Sequence, residues 1–583
     1  MIFYDLEVFK EDWLISWLDT ETKKMYTLHN DKERLEDFYE HYKDRVWVGY
    51  NSRRYDTYIV KAILAGFNPY DISQWMIEEG RHGWEYSRLL NRFPILNYDC
   101  AVGFRGLKEL EAFMGHDIQE TSVSFDIDRP LTHKELLEVK EYNRYDVSET
   151  FHVFIETKHE FESHLSLIDE FNLPPYMIGR TKAQISADIL GANPVERDDE
   201  FEIILPDNLE LGKYEYIRQH FLDWGESAVD EEAYKEVRLS TEVAGVPHVV
   251  AIGGLHGARR NYFGDGYYIL ADVTSYYPFS MVMYDYLSRN VSNPKLFETM
   301  LHERLEMKAA GDPRENPRKI VLNSTFGASK DKYNKLYDPR QANNLCIANQ
   351  LFLIDLLEKL EGHCEIIQSN TDGILMKLYS KDDEDKIKGI CKEWEDRTGF
   401  HMDYDKYTRV IQRDVNNYIM VAEDGYLERK GAVVKDLSPL DNDLPIVNKA
   451  VVDYFVYDIP VEETIMNAND LIDYQKITKI SGKYDYGFHE RPNGDYHNIK
   501  GNVYYGDVLS EKVIRCFAST NPNDGTIYKK HKDKDTLDKT ASTPEQAFIN
   551  NGDINGEKIP PHLDKQWYVE LAQRRCKEFI GGK

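Results

Sequence analysis

The sequence is poor in cysteine and in basic residues, and it has no long apolar run. Its 583 residues include six cysteines, and no two of them form a Cys-x-x-Cys pair. This spacing argues against a zinc or iron–sulfur site. Lysine and arginine number 72 against 102 aspartates and glutamates, which gives a net charge of −30 at pH 7. Such an acidic chain is not expected to coat nucleic acid by electrostatic attraction.

Targeting segments, internal repeats and low-complexity tracts are also missing from the sequence. Met1 runs straight into an apolar segment, and there is no signal peptide or transmembrane stretch. We therefore expect an intracellular, cytoplasmic protein without a membrane partner. A chain of 583 residues is too long for a single hydrophobic core, and roughly three to five compact units are expected. Aromatic residues make up 13% of the chain, which indicates packed globular structure.

Three segments, in fixed order, carry the residue types of a single active site. They are residues 272–278 (DVTSYYP), 319–327 (KIVLNSTFG) and 369–373 (SNTDG). The first follows an unbroken apolar run, residues 267–271, of the kind found in a strand buried on both faces. The carboxylate of Asp272 is therefore expected where the sheet meets solvent.

The third segment predicts a β-hairpin. Residues 365–367 and 374–376 are mostly apolar and flank a polar turn with Asn, Asp and Gly, so Asp372 is expected at the hairpin tip. Two carboxylates on adjacent strands can share a pair of Mg²⁺ ions, which prefer hard oxygen ligands and bridge to substrate phosphates. Such a pair of ions stabilises the attacking and leaving oxygens of an in-line displacement. The three segments together predict nucleotidyl transfer.

The second segment predicts a helix with a functional stripe. Lys319, Asn323 and Gly327 recur at i, i+4 and i+8, so they share one face of that helix. A preceding helix carries Arg304 and Lys308 four residues apart. Three cations are therefore expected to converge on a triphosphate, and Gly327 would let a base pair approach the helix backbone closely.

Each of these features has an ordinary structural explanation when it is taken alone. A strand-end aspartate is usually a turn residue or a cap, and Asn-Thr-Asp-Gly is a common hairpin turn. A single helical lysine usually lies on a solvated face. The presence of all three features in one chain favours the catalytic interpretation.

The N-terminal region carries a second set of carboxylates. Residues 2–8 (IFYDLEV) predict a short strand on which Asp5 and Glu7 point to one face. Acid pairs are common in a chain with 102 acidic residues. The pair gains significance from Asp56 and Asp146, which follow it along the chain.

The chain resembles the family B DNA polymerases in their compact bacteriophage form. The family's first polymerase motif, DxxSLYP, is met by Asp272, Ser275, Tyr277 and Pro278, with Tyr276 in place of Leu. The second, KxxxNSxYG, is met by Lys319, Asn323, Ser324 and Gly327, with Phe326 in place of Tyr. The third, YxDTDS, is met only by Thr371 and Asp372, because Gln368, Asn370 and Gly373 replace its Tyr, first Asp and Ser.

The resemblance implies a multidomain fold, α/β and α+β, in which an RNase H-like exonuclease precedes a right-hand polymerase of palm, fingers and thumb. It places the exonuclease in residues 1–165, a connecting region in 166–250, the palm in 251–290 and 346–437, short fingers in 291–345, and the thumb and C-terminal region in 438–583. Compact fingers without insertions imply an ordinary primer and help from accessory proteins.

The implied activity is template-directed addition of deoxynucleotides to a primer 3′ end, with 3′–5′ proofreading. Primer-template DNA and dNTPs would be the ligands, with two Mg²⁺ ions in each active site and Mn²⁺ as a substitute. A helicase, a clamp or a single-strand-binding protein would be partners, in the cytoplasm of a bacterial host cell if the protein is phage-encoded.

Two alternatives stay open at this point. The first is an exonuclease with a degraded polymerase half, which is favoured by Asn370, Gly373 and Asn416. The second is a non-catalytic protein that only binds primer-template. Asp272 and Asp372 argue against the second alternative, because a pure binder has no use for two converging, unpaired carboxylates.

The resemblance also implies roles for individual residues. Metal ions would be held by Asp272, Val273 and Asp372 in the polymerase site, and by Asp5, Glu7, Asp56 and Asp146 in the exonuclease. The nucleotide would be bound by Ser275, Tyr277, Arg304, Lys308, Lys319, Asn323 and Gly327. Tyr277 would exclude a ribose 2′-hydroxyl, and Tyr142 would help to orient the attacking water of the exonuclease.

DNA contact is implied for Gly253, Gly254 and Lys430. Adjacent glycines permit close approach of a backbone phosphate, but they also make an ordinary turn. Lys430 follows the expected hairpin after the third motif, where it would contact the primer strand or the active-site phosphates, or would be a plain surface lysine. Asp99, at the end of another apolar strand, is interpreted as structural.

Overall fold

A computed structural model describes residues 1–581 of the chain. The described residues divide into two compact units. The first comprises Met1–Gly179, Leu437–Ala450 and Pro460–Ala572, and the second comprises Arg180–Asp436, Val451–Ile459 and the chain from Gln573 onward. The fold is mixed α/β and multidomain, and the predicted boundaries of exonuclease, palm, fingers and thumb stay predictions.

The N-terminal part of the first unit is a five-stranded sheet with helices. Its strands are β1 (Ile2–Val8), β2 (Trp13–Asp19), β3 (Lys24–His29), β4 (Val46–Gly49) and β5 (Leu96–Asp99). Its helices are α1 (Lys32–Tyr42), α2 (Asp56–Ala65), α3 (Pro69–Ile77), α4 (Gly83–Tyr86), α5 (Leu107–Met114), α6 (His133–Glu156) and α7 (Lys158–Glu170), with 3₁₀ turns at Arg88–Arg92 and Pro175–Gly179. The strand order is β3-β2-β1-β4-β5, in which β1 runs parallel to β4 and antiparallel to β2.

The alternation of side chains along β1 explains where its carboxylates lie. Phe3 is buried against α6, with its ring centroid 5.1 Å from those of Phe151 and Phe154. Side chains at i, i+2 and i+4 of a strand share a face, so Asp5 and Glu7 lie on the same face as Phe3. The predicted acid pair therefore faces the long helix α6.

The second unit is built on a nine-stranded antiparallel sheet of order β14-β13-β12-β9-β11-β10-β8-β7-β6. Its strands are β6 (Leu239–Val243), β7 (Val246–Val250), β8 (His256–Ala258), β9 (Tyr262–Val273), β10 (Glu365–Asn370), β11 (Gly373–Leu378), β12 (Met402–Asp414), β13 (Asn417–Ala422) and β14 (Leu427–Lys430). Its helices are α8 (Lys182–Ile189), α9 (Glu215–Ser227), α10 (Ala233–Glu236), α11 (Tyr276–Met283), α12 (Pro294–Ala310), α13 (Glu315–Lys330), α14 (Pro339–Leu360) and α15 (Glu384–Thr398).

The predicted local structure around the three motifs is confirmed. The apolar run 267–271 lies inside β9, and β10 and β11 form the hairpin whose turn holds Asp372. Helix α13 contains the whole stripe 319–327. Helix α12 ends at Gly311, whose φ of 67° is a left-handed conformation that glycine adopts without strain.

The chain after the nine-stranded sheet forms two smaller sheets, of order β15-β18-β21 and β17-β16-β19-β20. Its elements are α16 (Pro445–Tyr457), α17 (Val461–Asn467), β15 (Lys476–Lys479), β16 (Tyr484–Ile499), β17 (Asn502–Leu509), β18 (Val513–Ala518), β19 (Ile527–His531), β20 (Leu537–Lys539), β21 (Ala547–Ile549) and α18 (Lys565–Ile580). Within the first unit, Ile477 and Val513 share a core with Leu110 and Phe113 of α5. Across residues 1–581, no helix combines the length and the hydropathy that a membrane crossing needs.

Candidate active sites

Three neighbouring strands of the second unit place carboxylates at one end of the nine-stranded sheet. Strand β9 lies between β11 and β12, and Asp272 pairs with Gly373 on one side and with Asp403 on the other. Asp372 immediately precedes Gly373, and the backbone amide of Val273 donates to the carbonyl oxygen of Asp372 at 2.8 Å. The strand-end and hairpin-tip carboxylates are therefore neighbours. Asp403 joins them because β12 completes the same sheet.

A cavity of about 400 Å³ opens beside these carboxylates. It is lined by residues 272–278, Asp372 and Asp403 from the sheet end, by Arg304 and Lys308 from α12, and by Asn323 and Phe326 from α13. Lys319 and Gly327 lie on the same helix as Asn323 but outside this lining, and both are exposed. Two of the three expected cations, Arg304 and Lys308, thus line the cavity, and their convergence with Lys319 on a triphosphate stays a prediction.

The two cations that reach the cavity are held by different partners. Arg304 is buried, and its guanidinium donates to Ser275 Oγ at 2.5 Å and to Glu315 Oε2 at 3.1 Å. Lys308 Nζ lies 3.7 Å from a carboxylate oxygen of Asp403. Both cations therefore line the cavity, and Lys308 also lies beside the carboxylate of Asp403.

Burial distinguishes Asp272 and Asp372 from surface acids. Burial, followed by the charges of Asp372 and Asp403, raises the pKa of Asp272 to about 7. Burial also raises the pKa of Asp372, which the positive charge of Lys430 partly opposes. Carboxylates that repel one another in a partly dry cavity are stabilised when they share a cation. A set of hard oxygen donors of this kind fits Mg²⁺.

The two tyrosines of the first motif face different surroundings. Tyr276 is buried, and its hydroxyl donates to the carbonyl oxygen of Asn349 at 2.6 Å. Tyr277 lines the cavity, with its ring centroid 4.5 Å from that of Phe326 on α13. Both tyrosines border the cavity, but Tyr276 is only 2% exposed, so Tyr277 offers the more accessible ring.

Of the two glycines before β8, Gly254 has a packing role. A Cβ on Gly254 would lie 2.6 Å from Thr371 Oγ1, and the amide of Thr371 donates to the carbonyl oxygen of Leu255 at 2.8 Å. Gly254 thus lets the hairpin tip with Asp372 approach the chain before β8. Gly253 has open space around it, and DNA contact by either glycine stays a prediction.

The second set of carboxylates lies in the first unit, between β1 and α6. Oxygen atoms of Asp5, Glu7 and Asp146 lie within 4.8 Å of one another. Asp56 is buried at the first residue of α2. The side-chain amide of Asn143, one turn before Asp146 on α6, donates to Asp5 Oδ2 at 2.7 Å. The fold therefore brings three of the four predicted carboxylates into one group.

Sequence reasoning did not find Lys108, which lies at the start of α5. Its ammonium group donates to a carboxylate oxygen of Asp146 and, at 3.0 Å, to Glu111 Oε1. It also lies 4.6 Å from the ring centroid of Tyr142. No local motif connects Lys108 with Asp146, because their contact depends on the packing of α5 beside α6.

The carboxylates of this group in the first unit have pKa values that burial shifts upward. Burial, followed by the charge of Glu7, raises the pKa of Asp5 well above its usual range. Burial raises the pKa of Asp56 to about 7, and it raises the pKa of Glu7 well above its usual range. Burial and the charge of Asp146 raise the pKa of the Tyr142 hydroxyl, which stays protonated as a hydrogen-bond donor. Such a group of acids favours divalent cations.

A cavity of about 670 Å³ reaches Asp5 and Asp146. Its wall also holds Asn51, Arg53, Arg54, Arg105 and the fully exposed ring of Phe104. Asp99 lines the same cavity, but its carboxylate accepts the backbone amides of Arg53 and Ala101 at 3.0 and 3.1 Å. An aromatic ring beside arginines is a combination suited to a single strand of nucleic acid.

Comparisons with known proteins find similar solved structures but no similar family model or curated protein. No protein-family model matches the sequence, and no curated protein matches it. The structure of the family B DNA polymerase from the hyperthermophilic archaeon Pyrobaculum calidifontis aligns with 99% of this chain and 77% of that chain, at 12% sequence identity and a TM-score of 0.43.

Proposed function

We propose that the protein is a template-directed DNA polymerase that adds deoxynucleotides to a primer 3′ end, with a 3′–5′ proofreading exonuclease in the same chain. The observation that carries the proposal is the clustering of Asp272, Asp372, Arg304 and Lys308 around one cavity. Carboxylates that can hold metal ions, next to cations that can hold a triphosphate, are the groups that nucleotidyl transfer requires.

The donor set of the polymerase site fits divalent metal ions. Asp272 and Asp372, with the carbonyl oxygen of Val273, would hold them as hard oxygen ligands. When bound, such ions activate the primer 3′-hydroxyl and stabilise charge on the leaving pyrophosphate. Mg²⁺ is the expected ion and Mn²⁺ a substitute.

The remaining groups of this cavity would bind and orient the incoming nucleotide. Arg304 and Lys308 would neutralise the β- and γ-phosphates, because both line the same cavity as the carboxylates. Tyr277 would lie against the sugar and disfavour a ribose 2′-hydroxyl. Asn323 would hold the nucleotide from the side of α13. Lys319 and Gly327 would contact parts of the substrate that lie outside the cavity.

The proofreading activity would use the carboxylates of the first unit. Asp5, Glu7, Asp56 and Asp146 would hold the metal ions, and the Tyr142 hydroxyl would orient the attacking water. A frayed primer end is the expected substrate, since unpairing costs least for a mismatched base. Phe104 would stack on a base of this single strand, and Arg54 would contact its phosphates.

A second candidate is an exonuclease whose polymerase half has lost activity. It is favoured by Asn370 and Gly373 in the hairpin, where the resembled motif has Asp and Ser, and by Asn416 in place of a lysine. A protein of this kind would degrade a primer through the carboxylates of the first unit but would not extend it. The two candidates therefore differ in one measurable activity.

One experiment separates the candidates. Wild type, Asp5→Ala and Asp372→Ala are incubated with a 5′-labelled primer-template and Mg²⁺, with and without dNTPs. We expect Asp5→Ala to extend the primer without shortening it, and Asp372→Ala to shorten it without extension. Shortening by wild type, with no extension by either wild type or Asp5→Ala, would overturn the polymerase proposal and favour the second candidate.

A further inference from the structure

A second group of potential metal ligands lies between the part of α6 that follows Asp146 and the loop after α5. His116, Glu149 and His152 each offer a ligand atom, and these atoms lie within 4.8 Å of one another. The carboxylate of Glu149 lies between the two imidazoles, with Oε2 2.7 Å from His116 Nδ1 and Oε1 3.0 Å from His152 Nδ1. We propose that these three side chains bind one divalent transition-metal ion of the Zn²⁺ class, separate from the exonuclease ions.

The helical spacing supports this site. Glu149 and His152 are three residues apart on α6, so both side chains project from one face. A Glu-x-x-His pair on one helix is the spacing by which helical bundles present a carboxylate and an imidazole to a metal ion. The third ligand arrives from a different element, which is what closes a site around an ion.

The third ligand is held in place by its backbone. Helix α5 ends at Gly115, whose φ of 78° turns the chain towards α6. The carbonyl oxygen of the next residue, His116, accepts a hydrogen bond from the buried guanidinium of Arg515 at 2.7 Å. The same guanidinium donates to the carbonyl oxygen of Ala112 at 3.0 Å. Arg515 thus fixes the loop and preorganises His116 without contacting the ligand atoms.

The exposure of the three side chains suits an ion with one free position. The Glu149 side chain is 3% exposed, whereas those of His116 and His152 are 25% and 45% exposed. A buried carboxylate needs a compensating charge, and an ion here would supply it. Two imidazoles and one carboxylate are a common zinc donor set, in which water takes the fourth position. The partly exposed imidazoles leave that position open to solvent.

The distances between the Glu149 oxygens and the two imidazole nitrogens are close to those between the ligand atoms of a bound zinc ion. A tetrahedral zinc ion has bonds of about 2.0–2.2 Å to nitrogen and oxygen, so its ligand atoms are slightly farther apart than the 2.7 and 3.0 Å observed here. Small side-chain rotations would admit the ion. In its absence, the same contacts are hydrogen bonds between the imidazoles and the carboxylate.

Ligand chemistry separates this site from the exonuclease carboxylates. Asp5, Glu7 and Asp146 offer only oxygen, which suits Mg²⁺, whereas imidazole nitrogen favours Zn²⁺ and Co²⁺. Excess Mg²⁺ should therefore occupy the carboxylates and leave the histidine site to a transition metal. This difference allows the new site to be measured in the full-length protein.

The test uses Co²⁺ as a visible probe of the zinc site. The full-length protein is titrated with Co²⁺ in excess Mg²⁺, alongside His116→Ala, Glu149→Gln and His152→Ala. His159→Ala is the matched control, because His159 is a 72% exposed histidine that also lies beside a glutamate, 3.4 Å from Glu160. We expect wild type and the control to bind one equivalent of Co²⁺ with tetrahedral visible absorption, which Zn²⁺ abolishes by displacement.

Each of the three site variants should lose that absorption and bind more weakly by at least about 100-fold, since loss of even an outer partner costs about 10- to 100-fold. Zn²⁺ should raise the Tm of wild type but not that of His152→Ala, whose half-exposed side chain leaves the fold intact. The proposal is overturned if wild type binds no Co²⁺ under these conditions, or if His116→Ala and His152→Ala keep the wild-type absorption.

Discussion

Asp272 and Gly373 face each other across the β9–β11 pair, and a Cβ on Gly373 would lie only 2.8 Å from Asp272 Oδ1. The glycine therefore leaves the space in which the Asp272 carboxylate lies. A Gly373→Ala substitution should displace that carboxylate, and a small displacement of a catalytic group costs about 100-fold in rate. We expect primer extension to slow by about 10- to 100-fold, measured as single-turnover dNTP addition, with exonuclease activity unchanged.

The matched control for this substitution is Gly389→Ala. Gly389 lies within α15, and a Cβ there would meet nothing within 4 Å. Alanine at a helix-interior glycine should stabilise the protein by roughly 0.5–1 kcal/mol and leave extension at the wild-type rate. Wild-type extension by Gly373→Ala would show that the position of the Asp272 carboxylate does not limit the reaction.

The stability of the protein should depend on Mg²⁺ and pH together. Burial and neighbouring acids raise the pKa of Asp272 to about 7, and burial raises that of Asp56 to about 7. An acid with a raised folded pKa stabilises the metal-free fold most below its unfolded pKa, and this contribution is lost as pH rises through about 7. Mg²⁺ binds the deprotonated folded form, so it should restore stability above that pH.

The measurement is thermal unfolding, with and without Mg²⁺, at one pH below and one pH above the pKa of Asp56 and Asp272. The Mg²⁺-dependent rise in Tm should be small near about pH 6 and clearly larger near about pH 8. Replacing Asp56 and Asp272 together by asparagine should remove most of the difference. Equal Mg²⁺ effects at the two pH values would argue that these carboxyls are not the ligands.

Lys108 should control the pH range of the exonuclease. Burial raises the pKa of Asp146, and the Lys108 charge is the main influence that lowers it. In Lys108→Gln this pKa should rise, so the exonuclease pH–rate profile should move to higher pH, with about tenfold loss at neutral pH for each unit of the shift. Lys158→Gln is the control, because Lys158 forms an exposed ion pair with Glu162. An unmoved profile in Lys108→Gln would contradict the assignment.

Several features of the proposed polymerase site could be predicted from sequence because their signals are local. The apolar run before Asp272 and the polar turn around Asp372 specify a strand end and a hairpin tip without knowledge of the rest of the fold. Asp403 was not predicted, because it joins the site through the pairing of β12 with β9. Periodicity places Lys319 on the same helix face as Asn323, but it does not reveal how far along that face a cavity extends.

In the first unit, too, local features could be predicted from sequence, whereas contacts between distant segments could not. Asp5 and Glu7 were predicted to share a face because alternation along a strand is a local rule. Lys108 and Asn143 reach these acids only through the packing of α5 and α6, and neither belongs to a recognisable motif. His116 likewise meets Glu149 only in the folded chain. Contacts between distant segments are the part that sequence reasoning could not supply.

Tyr277 should set the preference for deoxynucleotides. Its ring lines the cavity beside Phe326, so Tyr277→Ala would remove the side chain that a ribose 2′-hydroxyl meets. We expect discrimination between dNTP and rNTP, measured as the ratio of kcat/KM values, to fall by about tenfold or more. Tyr379→Ala, at a 69% exposed position, should leave the ratio unchanged. An unchanged ratio in Tyr277→Ala would mean that another group excludes ribonucleotides.

Template-directed addition at Asp272 and Asp372 is tested most directly by single-nucleotide incorporation. The Asp5→Ala protein, which should not degrade the primer, is given one dNTP at a time on four templates that differ only in the templating base. We predict that only the complementary nucleotide is added efficiently, and that Asp372→Asn in the same background abolishes addition. Addition that ignores the templating base, or that persists after Asp372→Asn, would contradict the proposed function.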